Sequence, residues 1–179
     1  MRSTNKGTFF VEDRVAADFL SVCLEDCAPI LLREYTIDIV GGEAEISSRL
    51  KFPRSEKIKY NFVGIYDGDM RDRLENTGLC WNHCFLPGTE PLEMIFQHFA
   101  EQEAGIDWLS NSLNVDQSAL FAYIGSLTGT DYHDWFEELR KPLGVDGKTL
   151  VRAFYTGMKG TIFDTDAFLA ELKLCLEPA

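Results

Sequence analysis

Residues 60–69 read YNFVGIYDGD, and this stretch is the strongest indication of the fold. Its first seven residues, Tyr60 to Tyr66, are nearly continuously apolar, which is typical of a β-strand covered on both faces. Asp67-Gly68-Asp69 follows at once. Two carboxylates at positions i and i+2 beyond a strand can face the same way, and the glycine between them permits a close backbone approach. The stretch therefore predicts a buried strand that ends in a cluster of negative charge.

Strand-like and helix-like segments alternate through the first half of the chain. The other predicted strands cover residues 7–11, 35–40 and 79–86, and helical periodicity covers residues 13–27 and 43–50. Strands that are separated by helices form βαβ crossovers, which place the strands parallel to one another. We therefore predict an α/β fold with a mostly parallel sheet flanked by helices. Ligands of such sheets gather at the carboxyl ends of the strands.

The second half of the chain is predicted to be helical. Candidate helices cover residues 91–103, 116–124, 132–140, 148–155 and 165–176. No linker rich in Pro, Ser or Gly separates the two halves. We therefore expect one unit, with an α/β core over residues 7–95 and a C-terminal helical elaboration over residues 96–179 that packs on it.

Acidic residues follow three of the predicted strands, and the chemistry is expected there. They are Glu12 and Asp13 after the first strand, Asp67 and Asp69 after the third, and Glu90 and Glu93 after the fourth. In a parallel sheet these acids would meet along one edge. Mg²⁺ and similar hard cations prefer oxygen ligands, and two neighbouring cations form a clamp that serves phosphodiester hydrolysis.

Some of these acids also have a purely structural interpretation. Asp13, Glu90 and Glu93 lie at predicted helix starts, where a carboxylate complements the positive end of the helix dipole. The spacing alone leaves helix capping and metal binding open for these three residues. Asp67-Gly68-Asp69, taken by itself, is also compatible with an exposed turn, but its position after a buried strand favours a site.

Two motifs resemble a known family. FFVED at residues 9–13 and GIYDGD at residues 64–69 are similar to the Toprim pattern, which has a glutamate after strand one and D-x-D after strand three. The more specific resemblance is to the Toprim nuclease domain of the overcoming-lysogenization-defect (OLD) family, through LPGTEPLE at residues 86–93 and a late lysine before the final helix. The resemblance covers residues 8 to 95, and it extends into the helical half only through the lysine.

The resemblance implies a nuclease that uses two Mg²⁺ or Mn²⁺ ions and acts on DNA, in DNA processing or phage defence. It implies metal binding by Asp67 and Asp69, with Glu12 as a ligand or general acid–base. Glu90 and Glu93 would be ligands of the other metal. Lys159 would stabilise charge on the phosphoryl group, with Lys148 as a weaker rival.

One position departs from the family pattern. Relatives carry another acid four residues after the first glutamate, and this chain has Ala16 there. Asp13 is the candidate replacement, so the second metal site is less well defined than the first. Family members also work with an ATPase of the ABC type. The chain contains no GxxxxGK[ST] motif, so such an ATPase would have to be a separate domain or subunit, in cis or in trans.

Charge and composition narrow the function classes. The formal net charge of −12 is unfavourable for binding a polyanion, which usually needs a basic face. It indicates either a solvated acidic surface or acids concentrated around cations, and a tight grip on DNA supplied by another domain or subunit. No apolar run is long enough for a membrane span, and the N-terminal residues lack a signal-peptide pattern. We expect a cytoplasmic protein without membrane contact, and homo-oligomerisation stays open.

The five cysteines offer an alternative site. Cys80, His83 and Cys84 lie within five residues and could bind zinc together with Cys23 or Cys27. Zinc sites usually show closer and recurring ligand spacing, so packed thiols are the favoured interpretation and no bound zinc is expected.

Two further functions stay open from the sequence. A degenerate Toprim domain could serve as a scaffold or binding module without catalysis. A receiver-like signalling domain also binds Mg²⁺ with acids after strands one and three. The gap from Glu12 to Asp67 is too long for that pattern, and a receiver has no counterpart of the helical half.

Overall fold

The computed structural model describes residues 5–54, 60–75 and 77–176. Four strands form one sheet in the order β2-β1-β3-β4. The strands are β1 (Gly7–Val11), β2 (Tyr35–Ile39), β3 (Asn61–Tyr66) and β4 (Asn82–Phe85), and every neighbouring pair is parallel. The predicted α/β fold with a parallel sheet is therefore confirmed. Each of the four strands lies within or next to its predicted segment.

Helices connect β1 to β2 and β2 to β3, and the remaining described helices come after β4. The described helices are α1 (Arg14–Cys27), α2 (Leu31–Glu34), α3 (Glu43–Leu50), α4 (Leu92–Ala100), α5 (Glu103–Leu113), α6 (Gln117–Ser126), α7 (Tyr132–Leu143), α8 (Gly147–Met158) and α9 (Thr165–Leu176). A short 3-10 helix, Gly68–Asp72, follows β3. The short helix α2 and the separate helix α5 have no counterpart among the predicted segments. No described helix is both long and apolar enough to cross a bilayer.

Successive side chains along a strand point to opposite faces of the sheet, and they enter two hydrophobic clusters of unequal size. Phe9, Val11, Val63 and Ile65 face the larger core, which is closed by α1 and the helices of the second half. Phe10 and Tyr66 are among the residues that face a smaller cluster, which includes Ile46 and Leu50 of α3. Both central strands are therefore covered on both faces, which explains the continuous apolar character of YNFVGIY.

The larger core runs without interruption through both halves of the chain. Phe19 of α1 packs edge-on against Tyr155 and Phe163, and Phe96 of α4 stacks on Phe154 of α8 with ring centroids 4.6 Å apart. The predicted boundary between residues 95 and 96 falls inside α4. The helical elaboration therefore shares the core of the α/β part.

Candidate functional site

The strand ends at the carboxyl edge of the sheet lie in register. Val11, the last residue of β1, is aligned with Ile65 of β3. Glu12 directly follows β1, and Asp67 directly follows Tyr66, the last residue of β3. Asp13 then caps α1, because its Oδ1 accepts the backbone N–H of Ala16 at 2.8 Å. The structure thus brings together the acids of two neighbouring strand ends, and Asp13 has the capping role that the sequence left open.

Asp67 is the most constrained acid of this cluster. Its Oδ1 is the only buried side-chain oxygen or nitrogen, among residues 5–54, 60–75 and 77–176, that has no hydrogen-bond partner. Burial raises the pKa of Asp67 to about 7, and the charges of Asp13 and Glu12 add to the rise. The backbone N–H of Leu92 donates to the carboxylate and opposes the shift. Asp67 is therefore a carboxylate that lacks positive charge around it.

Glu93 belongs to the same cluster. It lies in the first turn of α4 and is 5% exposed. Burial raises its pKa to about 8, with a further contribution from the charge of Asp13, and a hydrogen bond joins the two side chains. The N-terminal turn of α4 thus adds a third chain segment to the acid cluster.

Glu12 and Asp69 complete the cluster on its open side. Glu12 is half-buried, and burial raises its pKa, with contributions from Asp13, Glu43 and Asp69. Asp69 is paired with Arg73, whose Nη1 lies 2.6 Å from its Oδ2. Asp69 is therefore the one member of the predicted Asp67–Asp69 pair whose charge is already offset.

Backbone contact between two loops fixes the position of the Asp67–Asp69 pair. A Cβ on Gly68 would lie 2.3 Å from the carbonyl oxygen of Gly88 and 3.2 Å from that of Leu86. Only glycine permits so close an approach. Gly88 itself has φ +107°, a conformation that L side chains rarely adopt. The two glycines thus lock the turn after β3 against the loop after β4.

Two predicted site residues lie away from the cluster. Glu90 is half-buried and faces His98, with its Oε2 3.2 Å from Nδ1. Lys159 follows α8 and is ion-paired with Asp26, near the C-terminal end of α1. At about 1.5 Å per residue, the two ends of α1 at Asp13 and Asp26 lie about 20 Å apart. The structure therefore does not bring Glu90 or Lys159 into the acid cluster, and their proposed roles stay predictions.

Lys148, the weaker rival, is also engaged on α1. Its Nζ lies 2.7 Å from Ser21 Oγ and 2.6 Å from Glu25 Oε1. Together with Arg152 it lowers the pKa of Glu25 to about 2. These cations fasten α8 to α1.

Two residues that the sequence analysis did not assign to the site lie beside the acids. Tyr132 begins α7, and its pKa is raised by burial and by the charges of Asp131, Asp69 and Glu93, among others. The ring of His133 lies 3.9 Å from that of Tyr132, and His133 lowers the pKa of Glu12. The Asp131 cap signalled where α7 begins, but no local pattern shows which part of the sheet a helix end will approach.

The comparisons with known proteins give one group of structures. No protein-family model matches the chain, and no curated protein matches it. Solved structures of the C-terminal region of the OLD protein of Xanthomonas campestris pv. campestris are similar to it. One has a TM-score of 0.49 at 14% identity, covering 94% of this chain and 95% of that one. A second has a TM-score of 0.48 at 15% identity, covering 94% and 98%.

The residues present fit a bound cation in their chemistry. In the conformation described, no three Asp, Glu, His or Cys side chains of the described ranges surround one point closely enough to hold a metal ion. However, the cluster consists of hard oxygen donors, and Asp67 Oδ1 is buried without a partner. A divalent cation would satisfy that oxygen and would offset the burial and the repulsion that raise the pKa values of Asp67, Glu93 and Glu12.

Proposed function

We propose that the chain hydrolyses phosphodiester bonds of nucleic acid with the help of Mg²⁺ or Mn²⁺ held by the acid cluster at the carboxyl edge of the sheet. The observation that carries the proposal is the buried, unpartnered Oδ1 of Asp67 beside Glu12, Asp13 and Glu93. Crowded, buried carboxylates destabilise a fold, and such perturbed groups are concentrated at functional sites. The ligand sites of open α/β sheets lie at the carboxyl ends of the strands, where this cluster lies.

The position of each side chain in the cluster indicates its proposed role. Asp67, Glu93 and Glu12 would hold the cation, since each has a pKa that is raised by burial and by neighbouring negative charge. A bound divalent cation supplies an acidified water and charge stabilisation at the phosphoryl oxygens. Asp13 anchors the start of α1 and holds Glu93 by a hydrogen bond. Two side chains at the cluster can oppose its negative charge: Arg73, which is ion-paired with Asp69, and His133, which lowers the pKa of Glu12.

DNA is the proposed substrate because the motifs at residues 9–13 and 64–69 resemble those of OLD nucleases. The net charge of −12 indicates that this chain contributes the chemistry rather than the affinity. We therefore also propose that a basic partner domain or subunit, an ABC-type ATPase by the same resemblance, presents the DNA.

A cleavage assay with matched variants tests the proposal. The purified chain should nick plasmid DNA with Mg²⁺ or Mn²⁺ at low salt, and EDTA should abolish the activity. Glu12→Gln, Asp67→Asn and Glu93→Gln should each lower the rate on the order of 10²–10³-fold, because each removes charge at the reacting centre. Glu90→Gln is the control, since Glu90 lies at a strand end but outside the cluster, and it should cut as the wild type does.

The absolute rate is less informative than the comparison between variants. If Asp67→Asn and Glu93→Gln cut as fast as the parent chain, the acid cluster is not the active site. A non-catalytic scaffold, the alternative that the sequence left open, would then be the better description.

A further inference from the structure

Two thiols meet where α9 packs on β4, away from the acid cluster. Cys84 is fully buried in β4, and Cys175 is half-buried in the last turn of α9. The Sγ of Cys175 lies 3.0 Å from the carbonyl oxygen of His83, and the side chain of Asn82 donates to the carbonyl oxygen of Cys175 at 2.7 Å. Cys175 is therefore pinned against the two residues that precede Cys84.

The thiols of Cys84 and Cys175 also interact with each other. A side-chain hydrogen bond between them raises the pKa of Cys84 and lowers the pKa of Cys175. Cys175 is thus both the more exposed and the more readily ionised of the two. The thiolate is the reactive form of a cysteine, so Cys175 is the one that would meet an oxidant first.

We propose that Cys84 and Cys175 form a redox-active dithiol site, which a low-molecular-weight disulfide oxidises to an intrachain disulfide tying α9 to β4. The dithiol site is independent of the proposed nuclease function. It is formed by the packing of α9 on β4, which brings Cys175 against His83 and Asn82, next to the buried Cys84.

The reaction proceeds by two thiol–disulfide exchanges. The Cys175 thiolate attacks one sulfur of the small disulfide, the S–S bond breaks, and one small thiolate leaves. Cys84 then gives its proton to the small thiolate released in the first step and attacks the Cys175 sulfur, and the second small thiolate leaves. Two protein thiols are oxidised, and one small disulfide is reduced to two thiols. The hydrogen bond to Cys175, the largest contribution to the raised pKa of Cys84, is removed in the first step.

Cys23 and Cys27 also interact, since burial and then Cys27 raise the pKa of Cys23, but their spacing on one helix does not suit a disulfide. Cys23 and Cys27 lie four residues apart on α1, where Cβ atoms are about 5–6 Å apart, beyond the roughly 4 Å that a disulfide needs. Cys80 is exposed and contacts the backbone carbonyl of Lys51. Cys80 would therefore react with an oxidant without closing an intrachain bond.

The test uses the full chain carrying Cys80→Ser, incubated with oxidised glutathione. Thiols counted after unfolding should fall from four to two, and a non-reduced digest should contain the Cys84 peptide linked to the Cys175 peptide in monomeric protein. Because the bond joins residues far apart in sequence, the unfolding midpoint should rise by about 5–10 °C and return on reduction.

Two variants separate the site from incidental oxidation. Cys84→Ala should leave Cys175 as a stable glutathione adduct, because no second thiol can displace it. Cys175→Ala should leave Cys84 unmodified in the folded protein, since it is buried. Four free thiols after incubation, or a Cys23–Cys27 link in place of the predicted one, would overturn the proposal.

Discussion

Asp67 keeps one carboxylate oxygen buried without a partner, and Glu93 is buried against Asp13 and near Asp67. Burying a carboxylate without compensation costs several kcal/mol, and such groups hold a proton instead. The pKa values of about 7 and about 8 express this cost. At these two residues the fold gives up stability, as functional sites often do.

The same pKa values predict how stability depends on pH. In the unfolded chain these groups titrate near pH 4, so their protonated forms stabilise the folded state fully below that pH. The contribution is lost as the pH rises through about 7 for Asp67 and about 8 for Glu93. In EDTA the free energy of unfolding should therefore fall between pH 5 and pH 8, by several kcal/mol and at most by about 7 kcal/mol.

Urea denaturation at the two pH values measures this, with the Asp67→Asn, Glu93→Gln double variant as reference. His83, whose pKa burial lowers, acts in the opposite sense, because its contribution is lost as the pH falls. The difference between wild type and variant cancels that effect. An equal pH slope in both proteins would show that these carboxyl groups do not bear the cost.

Substitution of His133 and of Lys159 compares two candidates for electrostatic stabilisation of the phosphoryl group. His133 lies beside Glu12, whereas Lys159 is bound to Asp26 at the other end of α1. His133→Ala should lower the DNA cleavage rate roughly tenfold with metal binding intact, because an electrostatic contribution is lost. Lys159→Ala should change the rate less than about twofold, since an exposed ion pair contributes little. The reverse order would restore the lysine to the role that the family resemblance implies.

The sequence indicated which acids lie together at the strand ends better than it indicated which other residues lie near them, and the reason is physical. Glu12 and Asp67 follow strands directly, so parallel pairing alone brings them together. Glu90 was expected beside Glu93, but Pro91 caps α4 and leaves Glu90 outside the helix, so the two do not share a helix face. Lys159 depends on the direction in which α8 runs along α1, which no local pattern shows.

At the scale of elements, the strands were predictable because their burial appears as apolar runs. The described part of β4, residues 82–85, is shorter than the predicted 79–86, because Trp81 and its predecessors turn away from the ladder. Helix α5 was not predicted from the sequence. The glycine in its first turn, Gly105, is required by the packing of this turn. A Cβ there would lie 1.8 Å from the carbonyl oxygen of Phe99, so α5 turns tightly against the end of α4.

Two glycine substitutions test how elements hold the site. Gly68→Ala places a methyl group against the backbone of Gly88, which cannot move cheaply, and should cost about 3 kcal/mol of unfolding free energy. Gly125→Ala is the matched control, because it lies in α6 with nothing within 4 Å of its Cβ. It should stabilise the chain by roughly 0.5–1 kcal/mol. Equal effects in urea denaturation would contradict the proposed loop contact.

For the molecule as a whole, the distribution of charge matters more than its sum. The cations Lys148, Arg152 and Lys159 are all used to hold α8 on α1, against Glu25 and Asp26. They pair with residues at the C-terminal end of α1, whereas the acid cluster lies at its N-terminal end. These three cations are therefore paired at the end of α1 away from the acids, which is one reason why the proposed function includes a basic partner.

The last prediction concerns the response of the whole fold to metal. A cation that binds the folded state alone stabilises it by mass action, so about 1 mM Mn²⁺ should raise the unfolding midpoint by roughly 5–10 °C if the site is near saturation. A chain with a net charge of −12 will also gain from unspecific screening, and NaCl of equal ionic strength measures that part. Asp67→Asn with Glu93→Gln should remove the Mn²⁺-specific rise, because those carboxylates provide the buried ligands. Glu90→Gln, which removes one charge outside the cluster, should keep it. If the double variant and the Glu90 variant responded alike, the cation would be bound by the general acidic surface, and the acid cluster would not be a metal site.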